Sequence, residues 1–197
     1  MLHPNFVIVG AIIFLIGSAG YVIDTVKGLV KPNRVTWFIW SLAPLIAFAA
    51  QVKQGIGMES LMTLVIGLVP VMVFAASFIN RKSYWKIEKL DVICGLLSIV
   101  GLVLWQLTKV GNVAIFFSLL ADFLAFLPTM IKSYRHPETE NYLLYLANSI
   151  FALLTLLTIK DWNFANYSFP LYIFLATLLL AVSIKFKIVK LVKVFGD

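Results

Sequence analysis

Charge is what this chain has least of. Of its 197 residues only 13% are Asp, Glu, Lys or Arg, while 61% are hydrophobic and the mean hydropathy is +0.98. A soluble domain carries about a quarter charged and about half apolar residues, so this composition excludes an ordinary water-exposed surface and points to lipid as the solvent. Cysteine is nearly absent: Cys94 stands alone inside an apolar run, which excludes an intramolecular disulfide and leaves it as a small buried hydrophobe. The two histidines, His3 and His136, are far apart and outside the apolar runs, so no metal set is expected. No Gly-rich phosphate loop and no plausible Ser-His-Asp set is visible. These absences argue against an enzyme, against any cofactor and against a pump that hydrolyses ATP without another subunit. The formal charge of +7 would suit nucleic acid if the basic residues formed one patch, but they are scattered through short joints, and no nucleic-acid partner is expected.

What the chain does have is seven runs nearly free of charge: Phe6 to Ile23, Trp37 to Val52, Leu61 to Ile79, Val92 to Thr108, Val113 to Ile131, Tyr142 to Ile159 and Tyr167 to Ile184. At 1.5 Å rise, roughly 20 helical residues cross the hydrocarbon core, and in lipid a single segment satisfies its own backbone only as a helix. The first run is not read as a secretory signal, because no Lys or Arg precedes it. Lys and Arg also alternate sides. The joints after runs 1, 3 and 5 and the tail hold 13 of them, from Lys27, Lys31 and Arg34 through to Lys193, whereas the other joints hold only Lys53, Lys109 and Lys160. By the positive-inside rule this predicts an N-out, C-in, multi-pass protein, in the cell (plasma or inner) membrane if the source is prokaryotic.

A shift of 105 residues superposes Lys27 on Lys132, Pro32 on Pro137, Trp37 on Tyr142, Trp40 on Tyr145 and Ala47 on Ala152. Each copy reads as an apolar helix, a basic turn with a proline, then aromatics three residues apart on one helix face. The predicted organisation is therefore a three-helix repeat over 1–80, a turn and linker helix over 81–110, and a second repeat with a basic tail over 111–197. An odd linker lets both triplets enter the membrane from the same side, a layout in which substrate sits between the halves near the midplane.

The segment Leu127 to Tyr142, LPTMIKSYRHPETENY, resembles a PQ-loop motif, as found in SWEET sugar transporters and lysosomal amino-acid exporters. The seven-span, three-plus-one-plus-three, N-out plan is similar along the whole chain, and vitamin transporters of the nicotinamide riboside type share a related plan. The resemblance implies alternating access by two three-helix bundles for a small solute (a sugar, amino acid or vitamin-like compound), with motif prolines as hinges. A monomer suffices for that plan, and a homo-oligomer is compatible with it. The motif departs from the Pro-Gln pattern: the dipeptide reads Pro128-Thr129 in the second copy and Ile23-Asp24 in the first.

Asp122 is the only ionisable acid or base inside a run. An intramembrane acid by default faces an interior path and serves transport or proton relay, and burial favours its neutral, proton-carrying form. The alternative is a protonated Asp that ties two helices together. Pro128 removes one helical hydrogen bond and reads as a hinge or a bare kink. Pro44 and Pro70 are further breaks without counterparts. Asp24 reads as a solvated partner of Lys27 or as a gate contact to Thr129. Trp37 and Tyr142 fit an interfacial aromatic belt, whereas Trp40 and Tyr145, one turn deeper, and Asn148, deeper again, are candidates for the substrate path. A non-transporting seven-helix receptor or scaffold is the rival reading.

Overall fold

Seven α-helices occupy the seven apolar runs: α1 Phe6–Lys27, α2 Arg34–Lys53, α3 Glu59–Ala76, α4 Lys89–Leu107, α5 Gly111–Arg135, α6 Tyr142–Thr158 and α7 Phe164–Phe186. The structure is a computed structural model that describes residues 2–3, 5–53, 59–107, 111–160 and 162–187. Lys109 and the tail residues Lys190 and Lys193, used above in the charge count, lie outside the described residues. Two short 3-10 turns, Arg81–Ser83 and Pro137–Thr139, complete the secondary structure, and there is no strand among the described residues. Among the described residues two helices, α1 and the Tyr167–Phe186 part of α7, are long and apolar enough to cross a membrane.

The helix ends follow from local chemistry. Gly28 stops α1 with φ +78°, a left-handed conformation that suits glycine, and the Gly28 and Leu29 amides close back onto Thr25 O and Asp24 O at 3.0 and 2.9 Å. Asn33 starts α2, its Oδ1 accepting from the Val35 and Thr36 amides at 3.1 and 3.4 Å. Asn141 starts α6 in the same way, accepting from the Leu143 amide at 2.9 Å.

These ends revise the register of the repeat. The last residues of α1 and α5, Lys27 and Arg135, are 108 positions apart, and so are the caps Asn33 and Asn141. The 105-residue shift lined up the two loop prolines, but they play different parts: Pro32 precedes the α2 cap, whereas Pro137 opens a 3-10 turn. In the register set by the helix ends Trp37 matches Tyr145, Trp40 matches Asn148 and Pro128 matches Gly20.

Helix α1 packs on α6 and α3; α2 packs on α3, α5 and α4; α5 packs on α4 and α7; and α6 packs on α7. The α1–α6 approach depends on Gly17, where a Cβ would lie 2.5 Å from the Ala147 Cβ. Phe14, Tyr21, Trp37, Val69, Tyr145, Phe151 and Leu180 form the centre of the buried core. Helix α4 stays outside it and exposes Val92, Ile93, Leu96, Leu97, Val100 and Val103.

A cavity at the centre of the bundle

Six of the seven helices, all but α4, contribute to one central cavity of about 50 Å³. Phe14 comes from α1, Trp37, Trp40 and Pro44 from α2, and Val69 and Pro70 from α3. Helix α5 adds Asp122 and Phe126, α6 adds Tyr145 and Asn148, and α7 adds Phe169 and Tyr172. The four residues singled out in the sequence as a substrate path, Trp40, Asp122, Tyr145 and Asn148, thus share one wall. Among the described residues the wall holds one carboxylate and no Lys, Arg or His.

Asp122 is buried, and Tyr172 Oη donates to its Oδ2 at 2.8 Å. Its neighbours are less well served. Among the described residues five buried side-chain polar atoms lack a protein hydrogen-bond partner, and three of them belong to this wall: Trp37 Nε1, Trp40 Nε1 and Asn148 Oδ1. Buried polar groups are normally paired; these three belong to residues of the same wall as Asp122. The aromatic rings are held by one another, Trp37 edge-on to Trp40 at 5.4 Å and Trp40 tilted on Phe126 at 6.4 Å between centroids.

Next to the cavity, toward the basic turns, is a layer with the opposite character. Glu140 is buried and fully engaged: its Oε2 accepts from Tyr21 Oη at 2.6 Å and from Tyr145 Oη at 3.0 Å, and its Oε1 pairs with Lys132 Nζ. Lys132 Nζ also donates to the Lys31 carbonyl and sits 5.1 Å from the Trp85 ring centroid. Burial lowers the Lys132 pKa from its ordinary value, and the Glu140 carboxylate opposes that shift. Thr129 Oγ1 donates to Thr36 Oγ1 at 3.1 Å, which donates onward to the Ala125 carbonyl at 2.8 Å. Asn33 Nδ2 donates to Asp91 Oδ1 at 2.9 Å. Tyr145 belongs to both regions: its ring is cavity wall, and its hydroxyl is tied to Glu140.

Several expectations are corrected by this arrangement. Asp24 does not meet Thr129: its Oδ2 accepts from Asn141 Nδ2 at 2.5 Å, while Thr129 is spent on Thr36. Both contacts still join α1 or α5 to the start of a neighbouring helix. Pro128 is buried in α5 but off the cavity, beside a separate recess with Trp85, Asp91, Lys132 and His136, whereas Pro44 and Pro70 line the cavity itself. Trp37 is not an interfacial belt residue; it is among the largest fully buried side chains. Tyr142 is half-buried, with Lys185 Nζ 5.4 Å from its ring centroid.

Tyr172, Tyr21, Lys132 and Glu140 were not singled out as site residues by the sequence. Lys132 and Glu140 are eight residues apart across a turn, and nothing in helical spacing brings such a pair together. The chain matches no protein-family model, no curated protein and no solved structure.

Proposed function

We propose that the chain is a multi-pass membrane transporter for a small polar solute, working by alternating access between two three-helix bundles, α1–α3 and α5–α7, joined by α4. The observation that carries this reading is the central cavity, walled by both bundles and holding a lone carboxylate with three unpartnered polar atoms. Further support comes from the outward apolar face of α4, the two helices of membrane-crossing length, the bias of Lys and Arg to alternate joints and the PQ-loop resemblance.

In this reading the N-terminus is outside and the basic turns face the cytoplasm, so the Tyr21–Glu140–Lys132–Tyr145 layer is the cytoplasmic gate, drawn shut. Opening it means parting Tyr21 of α1 from Glu140, together with the Thr36–Thr129 contact between α2 and α5. Asp122 takes up a proton in one half of the cycle and releases it in the other. Purified protein in liposomes is expected to give saturable solute flux with a pH profile that Asp122→Asn abolishes; flux of Asp122→Asn with unchanged rate and pH profile would remove the proton linkage. The rival, a non-transporting receptor or scaffold, draws on the same helical frame but has no use for a buried carboxylate beside three unpartnered polar atoms, and an absence of flux across a broad metabolite panel would favour it.

A further inference from the structure

We infer that the ligand of the central cavity is a small organic cation that also carries hydrogen-bond acceptors. The inference rests on the transporter reading for its biological setting, but its chemistry comes from the wall alone. Among the described residues the only charged side chain there is Asp122, and its one hydrogen-bond donor, the Tyr172 hydroxyl, is neutral and leaves the charge of the ionised form uncompensated. An ionised carboxylate held in a buried site is costly without a counter-charge. No Lys, Arg or His of the wall supplies one.

Three further features select for the same ligand. Indole nitrogens only donate, so the unpartnered Trp37 Nε1 and Trp40 Nε1 require acceptors on the ligand, while Asn148 Oδ1 requires a donor such as an ammonium N–H. The faces of Trp37, Trp40, Phe126 and Tyr145 attract a desolvated cation through their ring quadrupoles. An anion would meet Asp122 with no basic group to offset the repulsion. A neutral polyol could satisfy the indoles but would match only the protonated form of Asp122, whereas a cation matches the ionised one.

The test uses purified full-length protein in detergent and two charge series on common skeletons. One is tyramine, tyrosol and 4-hydroxyphenylacetate; the other is 3-aminopropanamide, 3-hydroxypropanamide and succinamate. Binding is read by titration calorimetry and by quenching of tryptophan fluorescence. The expected result is saturable binding of at least one cation, at least tenfold tighter than its neutral partner, with the anion weakest. Asp122→Asn should bring the cation-to-neutral ratio to about one, while Asp122→Glu keeps part of it and both variants unfold at the wild-type temperature. Should Asp122→Asn fail to fold, Trp40→Phe serves instead, and it should weaken the cation severalfold by removing an indole donor. Equal binding of cation and neutral partner, a ratio unmoved in Asp122→Asn, or no saturable binding by any of the six compounds would overturn the inference. Cation-selective binding without liposome flux would sink the transporter reading and leave the inference standing. Flux of a neutral solute that is indifferent to Asp122→Asn would do the reverse.

Discussion

The cavity and the layer beside it are built from similar residues and treat them in opposite ways. Both have a buried carboxylate touched by a tyrosine hydroxyl: Asp122 by Tyr172 and Glu140 by Tyr21 and Tyr145. Around Glu140 the main polar demands are met inside the protein, by an ammonium, two phenols and, nearby, paired threonines. Around Asp122 two indoles and an amide oxygen are left over. A satisfied network rigidifies a structure, while a half-satisfied one is a liability unless a ligand completes it. In the proposed reading the contrast separates a latch, whose polar groups hold the fold, from a binding site, whose polar groups wait for a partner. Tyr145 joins the two regions, since the ring that lines the cavity carries the hydroxyl that holds Glu140.

Substitutions can break this contrast, and the largest effect is expected in the latch. Glu140→Leu strands the Lys132 ammonium in a buried site, and breaking a buried pair from one side costs about 3–5 kcal/mol. Thermal or denaturant unfolding of the purified variant should show that loss, and Lys132→Met added to it should recover most of the stability. A single Glu140→Leu variant as stable as wild type would dissolve the latch.

Next in size, Gly17→Val pushes a side chain into Ala147 at the α1–α6 contact, and overpacking of this kind costs about 1–3 kcal/mol. Unchanged unfolding would mean that α1 and α6 do not approach as described. Thr129→Val removes a buried hydrogen bond to Thr36, with an expected loss of about 1 kcal/mol in the same assay.

The smallest stability effects are expected in the cavity. Asn148→Leu takes away a polar atom that has no protein partner, so stability should hold within about 1 kcal/mol or rise, while ligand binding is lost. A fall as large as that of Glu140→Leu would show that Asn148 is structural and that the two regions do not differ in kind.

The helices were legible in the sequence because long uninterrupted apolar runs leave few other solutions, and all seven runs carry a helix. Asp122, Asn148, Trp40 and Tyr145 were legible because polar and aromatic groups are conspicuous at the depth of an apolar run. The helix ends give the proposed repeat a different register from the one the loop prolines suggest. Prolines are the most visible feature of the two turns, yet Pro32 and Pro137 occupy different places in them, and the asparagine caps that do correspond look like any other polar loop residue. Trp37 was misplaced because residues near a run's end are equally consistent with a lipid interface and a buried core. The Lys132–Glu140 pair was invisible for a different reason: its partners on α1 and α6 meet only through tertiary packing, which no local period encodes. Pro44 and Pro70 show the same limit. They appeared as unmatched breaks, and only the packing of α2 on α3 turns them toward the cavity.

The central claim, that the cavity carries a solute across a membrane and depends on Asp122, is tested most directly by flux into liposomes containing the purified protein. The account predicts saturable uptake of at least one small cation, such as tyramine, lost in Asp122→Asn while that variant keeps the wild-type unfolding profile. Uptake no greater than in protein-free liposomes across a broad metabolite panel, or uptake by Asp122→Asn equal to wild type, would contradict it.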